Sequence, residues 1–103
     1  GDDDLVMPQI AAGFSGVISV AANCWTKDFS SMVNAARAND FDTARSLHYK
    51  LLAGIGLLFA EGNPPGVKYV LSEMGICQNT FRLPVVGVSD TTQQQIKDYL
   101  SKL

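Results

Sequence analysis

Histidine occurs once in this sequence and cysteine twice, and that scarcity narrows the chemistry that 103 residues can carry. Cys24 and Cys77 show neither metal-ligand spacing nor the framework of a disulfide-stapled domain, so both read as free thiols of a reducing cytoplasm. Charge is scarce as well: 17% of the residues are charged and the net charge is −2. No basic footprint favours nucleic acid or an anionic membrane. Long apolar runs are missing, and the most apolar helical stretch, Leu51–Ala60, is far too short to span a bilayer. The Walker loop, the dinucleotide glycine fingerprint, HExxH and CxxC are all absent. The chain opens Gly1-Asp2-Asp3-Asp4 without Met, basic segment or signal-like apolar core, and so reads as an internal piece.

What is present is enough apolar sequence, 47%, for one ordered globular domain. It is organised around Gly13–Asn23, in which Val17 to Ala22 is an apolar, β-branched run broken only by Ser19. A continuous rather than alternating run predicts a strand at about Gly16–Val20, covered on both faces as in a parallel sheet flanked by helices. No second convincing strand accompanies it. The expectation is therefore that its sheet lies outside this chain, and that Val17, Ile18 and Val20 are buried by something else, most simply another copy.

About five helices surround that strand, each marked by local signals. Asp2, Asp3 and Asp4 offer an N-cap and first-turn negative charge to a helix over about Leu5–Ala12, which Gly13 ends. A second spans about Thr26–Ala38, with Phe29, Met32, Val33 and Ala36 on one face, and Asn39-Asp40 breaks it. The third, about Phe41–Phe59 behind an Asp40 cap, has the strongest period: Phe41, Ala44, Leu47, Leu51, Ile55, Leu58. Asn63-Pro64 starts a fourth, which Gly75 terminates after Met74; residues 76–88 read as irregular, since Pro84 opposes an interior strand. Ser89 or Asp90 caps the last, about Thr91–Leu103.

No self-contained active site emerges. Cys24 follows the C-terminal end of the predicted strand, where sites lie in parallel βα folds, but as a nucleophile it needs a base and His48 is its only candidate. A lone mid-helix histidine is more often structural, and Trp25 and Tyr49 more often pack than line a groove. Five lysines, Lys27, Lys50, Lys68, Lys97 and Lys102, all fall on predicted helices among polar neighbours. A Schiff-base lysine must be desolvated or set beside positive charge, so none of them suits that role. The aspartates Asp2–Asp4 read as a helix cap before a metal site.

Several stretches nevertheless resemble one family in order and spacing along essentially the whole chain. They are Gly1-Asp2-Asp3, the apolar helix with Pro8, Gly16-Val17-Ile18-Ser19-Val20, Ala22-Asn23, then Phe59, Glu61, Asn63-Pro64, Val67-Lys68 and Arg82-Leu83-Pro84. Together they resemble the last third of the dihydrodipicolinate synthase family. The resemblance implies an α/β parent, a (β/α)8 TIM barrel with a C-terminal helical appendage, that condenses pyruvate with aspartate semialdehyde. Residues 1–38 would be the end of the barrel (seventh helix, eighth strand, eighth helix) and 39–103 an appendage of three helices.

The family's Schiff-base lysine and its tyrosine and threonine proton relay would precede Gly1, so the piece alone is expected to be inactive. What carries over is Ile18, whose main-chain carbonyl faces the pyruvate site, and Gly1, which borders it. Asn23 lies at the mouth of the strand and fixes the loop there. The resemblance implies no cofactor, no metal, a cytoplasmic location, and a homo-oligomer, tetramer or dimer. Gly62 and Gly66 stand where the family commonly has proline, which implies a more flexible connection before the fourth helix. Another pyruvate-dependent aldolase, such as the sister N-acetylneuraminate lyases that share fold and lysine chemistry, is one alternative, although the Val-Ile-Ser-Val-x-Ala-Asn form favours the synthase. A non-catalytic helical packing module is the alternative from a different class.

Overall fold

The computed structural model describes residues 2–103. Their order is a 3-10 turn at Asp3–Leu5, α1 (Val6–Ala11), a 3-10 turn at Ala21–Asn23, α2 (Thr26–Arg37), α3 (Phe41–Phe59), α4 (Pro65–Glu73) and α5 (Asp90–Ser101). Each helix lies within two residues of its expected bounds. The reason is visible in the ends. At α1, α2 and α4 the chain turns through a residue of positive φ, Gly13 (111°), Asn39 (61°) and Gly75 (76°). In each case that residue's own N–H and the next one fold back onto late carbonyls, as where Gly75 donates to Ser72 and Ile76 to Leu71, both at 3.0 Å. At the starts, the Asp40 carboxylate accepts from Thr43 N–H at 3.3 Å and the Ser89 hydroxyl from Thr92 N–H at 3.4 Å.

The expected strand at Gly16–Val20 is not there. Among the described residues there is no strand: residues 14–19 have no regular structure, and Val20 is already helical in conformation, with φ −79° and ψ −46°. Ile18 is 91% exposed, while Val17 and Val20 are half-buried. The physical reason is that β-structure is defined by a ladder between two segments, and among the described residues no ladder runs along Gly16–Val20. Apolar, β-branched composition raises the propensity for a strand but supplies no partner.

The chain divides within α3 into two compact units, Gly1–Ile55 and Gly56–Leu103. In the first, α1 packs on α2, and Val6, Ile10, Phe29, Met32 and Ala36 are buried together with Ala21, Cys24 and Trp25 of the intervening turn. An ion pair at the surface, Lys50 to Asp28 at 2.9 Å, links α3 to α2. In the second unit Leu58, Val67, Tyr69, Val70, Val88 and Ile96 are buried.

Gly66 serves the packing of that second unit, rather than adding the flexibility expected of it. A Cβ there would collide with the backbone of Leu58, 2.7 Å from its carbonyl carbon and 2.8 Å from its Cα. Gly66 is buried and allows α4 to approach the end of α3 at main-chain distance. Gly62, at φ 91°, makes the turn between them.

Candidate functional site

The segment from Phe14 to Asn23 joins α1 to α2 and carries two of the expected site residues, Ile18 and Asn23. Side chains hold part of its backbone. The Asn23 amide donates to the carbonyls of Ser19 at 3.4 Å and Val20 at 3.1 Å, and the Ser19 hydroxyl accepts from Ala22 N–H at 3.0 Å. Hollows border the segment: a cleft of about 290 Å³ against α2, reached by Phe29, Val33 and Arg37, and a second of about 410 Å³ lined by Gln9, Phe14 and Ile18. Gly16 and Val17 line both. Gly1, the third expected residue, lies outside the described residues.

The contact that the sequence did not signal is made by Asp3. It was expected to cap its own helix with Asp2 and Asp4. Asp2 makes no side-chain cap, and Asp3 is buried, its Oδ2 accepting from Val20 N–H at 3.1 Å and Ala21 N–H at 2.8 Å. The aspartate thus caps the 3-10 turn 17 and 18 residues further on. A run of three aspartates gives no sign of which one turns inward.

The candidate nucleophile and base are both inert in this setting. Cys24 is 4% exposed, and burial pushes its thiol up to about 12, with backbone hydrogen bonding opposing and the Asp3 charge adding to the rise. Its Sγ–H donates to the carbonyl of Ala21 at 3.5 Å, so the pair with His48 is not formed. His48 is buried, which pulls its pKa below the ordinary 6.5 against the opposing charge of Asp4, and its Nδ1 has no hydrogen-bond partner among the described residues. Trp25 is buried in the core and Tyr49 is exposed, its ring centroid 5.5 Å from that of His48. They do not form a groove together.

None of the five lysines is desolvated. Lys27, Lys97 and Lys102 are exposed; Lys50 pairs with Asp28; Lys68 donates to the Thr80 carbonyl and lies 5.0 Å from the Phe81 ring centroid. Among the described residues, no three of His, Cys, Asp and Glu are grouped to hold a metal ion, and no helix is long and apolar enough to cross a membrane.

Comparison with known proteins gives these observations a context. The family model described as the dihydrodipicolinate synthetase family matches residues 1–103. The 4-hydroxy-tetrahydrodipicolinate synthase of Parabacteroides distasonis is 41% identical over 103 residues, which are 100% of this chain and 35% of that protein. The crystal structure of dihydrodipicolinate synthase from Aquifex aeolicus matches 99% of this chain and 35% of its own, with 38% identity and a TM-score of 0.95. A chloride-inhibited dihydrodipicolinate synthase from Acinetobacter baumannii, complexed with pyruvate, matches 98% of this chain and 35% of its own at 33% identity and a TM-score of 0.93. The chain spans about a third of the length of the curated relatives it matches.

Proposed function

Because the chain belongs to the dihydrodipicolinate synthetase family, we propose that it is the C-terminal part of a lyase that condenses pyruvate with aspartate semialdehyde on the way to diaminopimelate and lysine. The observation that carries this reading is the match itself: 41% identity to a 4-hydroxy-tetrahydrodipicolinate synthase extends over all 103 residues. In this reading a lysine outside these residues attacks the C2 carbonyl of pyruvate, water leaves, and the imine loses a methyl proton to give the carbon nucleophile. The aldehyde accepts that carbon. The exposed or hydrogen-bonded state of all five lysines here supports placing the reactive amine elsewhere in the protein.

The parent is a (β/α)8 barrel of the cytoplasm, assembled as a homo-oligomer. Residues 1–38 form the end of the barrel and carry its last two helices, α1 and α2, while 39–103 are the helical appendage. Ile18 offers its main-chain carbonyl to pyruvate, Gly1 borders the same site, and Asn23 keeps the connecting loop in shape. The exposure of Ile18 and the hollows beside it support a contact reachable from outside this chain. The Acinetobacter baumannii relative is complexed with pyruvate, which supports the choice of keto acid.

The full-length protein, treated with pyruvate and borohydride, should gain the mass of one reduced pyruvate on a lysine outside residues 1–103. An adduct on one of Lys27, Lys50, Lys68, Lys97 or Lys102, or no adduct at all, would overturn the assignment.

A further inference from the structure

The segment between α4 and α5, residues 76–88, has no regular structure, yet both of its feet are pinned. Ile76 N–H donates back to the Leu71 carbonyl at 3.0 Å, and Glu61 holds Ser89, the residue that follows, by its N–H and its hydroxyl. Between the feet, the Lys68 ammonium donates to the Thr80 carbonyl and lies 5.0 Å from the Phe81 ring centroid. Gly87 lies against the same ring, where an added Cβ would stand 3.4 Å from its edge. The Val85 N–H closes the tip onto the Arg82 carbonyl at 3.1 Å.

What this framework presents to solvent is apolar. Leu83 is 86% and Val86 65% exposed, Pro84 between them is exposed as well, and Arg82 is the one charged residue in 81–88. Single exposed apolar side chains are normal on any protein, but three around one closed turn form a patch.

We infer that this tip is a docking knob for the rest of the parent protein: Leu83, Pro84 and Val86 seat in an apolar groove of the barrel's outer helical layer, outside residues 1–103. The occupant rests on the barrel reading above; the shape and exposure of the tip do not. The size of the patch selects the occupant. Even with exposed Ile76 at the loop's foot, four side chains fall far short of the roughly 20–30 residues and ~800 Å² per partner that hold two separate chains together. A surface tethered to its partner needs far less, because covalent connection supplies a high effective concentration. This chain spans about a third of its relatives' length, so the parent has ample tethered surface. A (β/α)8 barrel turns a ring of helices outward, and neighbouring helices leave grooves that side chains of this size fill. A loop already held in shape loses little conformational freedom on docking.

The test uses the full-length protein. The thiol introduced by Leu83→Cys should react with iodoacetamide at least tenfold more slowly in native protein than in urea; labelling at the unfolded rate overturns the inference. A photoreactive benzoylphenylalanine in place of Val86 identifies what covers the tip. The expected result is a cross-link within one polypeptide, mapped by mass spectrometry to peptides outside residues 1–103. A species of doubled mass, which makes a second copy the occupant, a cross-link confined to residues 1–103, or no cross-link at all overturns it. Leu83→Ala should lower the thermal midpoint by roughly 4 °C or more, whereas a freely solvated leucine would tolerate the change, and an unchanged midpoint again overturns the knob. The Schiff-base reading fails separately: a parent that traps no pyruvate but cross-links as expected refutes the lyase and leaves the knob standing. A trapped pyruvate adduct in a protein whose Leu83→Cys thiol labels freely refutes the knob alone.

Discussion

Cys24 and Cys77 share a functional group and little else. Cys24 is buried with its thiol pushed up to about 12, whereas Cys77 is exposed. Iodoacetamide at mildly alkaline pH should therefore label Cys77 alone in the native protein, and Cys24 only after denaturant is added. Mass mapping of the two peptides reads the result, and native labelling of Cys24 would contradict its burial. The same shift has a sign for stability. The folded state holds the Cys24 proton more tightly than the unfolded chain does, so this contribution is fully present below the ordinary value of 9.0 and is lost as pH climbs from there towards about 12. Nothing in the order of residues around Cys24 reveals this. The thiol is silenced by its burial in the folded core and, to a lesser extent, by the nearby charge of Asp3, 21 positions earlier.

At the scale of elements, the helices were legible because their signals are local. The period of α3, the Ser89 cap and the three positive-φ terminators all act within one or two turns. Two contacts in the second unit act over longer range and carry predictions. Gly66→Ala places a methyl group against the Leu58 backbone, which cannot move aside as a side chain does. It should destabilise by about 1–3 kcal/mol, read as a lower urea midpoint with an unchanged slope.

Glu61 accepts from Ser89 N–H at 3.0 Å and from the Ser89 hydroxyl at 2.7 Å, joining the end of α3 to the start of α5. Hydrogen bonding from Thr92 and Ser89 lowers its carboxyl below the ordinary 4.5, so the bond favours folding above that value and the benefit is lost as pH falls through the lowered pKa. Glu61→Gln should speed hydrogen exchange at the Ser89 amide at neutral pH. That difference should vanish in acid; a difference that persists there would mean the carboxylate charge is not the cause.

For the whole molecule, the question is what a chain with about a third of its relatives' length can do alone. With no desolvated lysine, the 103 residues by themselves should form no borohydride-trapped adduct with pyruvate. Intact-mass measurement checks this, and a stoichiometric gain would place a reactive amine within the chain. The two compact units each have a buried core, so this outcome is expected from folded protein as well as from denatured chain.

The residues by themselves determined the family, the five helices and most of their ends, because those are written in spacing, caps and terminators a few positions apart. They also marked Gly16–Val20 as apolar and β-branched, and that composition alone suggested a strand. Only the tertiary structure decided that no strand forms here among the described residues, that Asp3 reaches 17 residues forward instead of capping its own helix, and that Gly66 lies against Leu58. A ladder, a distant cap and a close helix approach each need a second piece of backbone in place, and no pattern along a single segment records whether that piece is there.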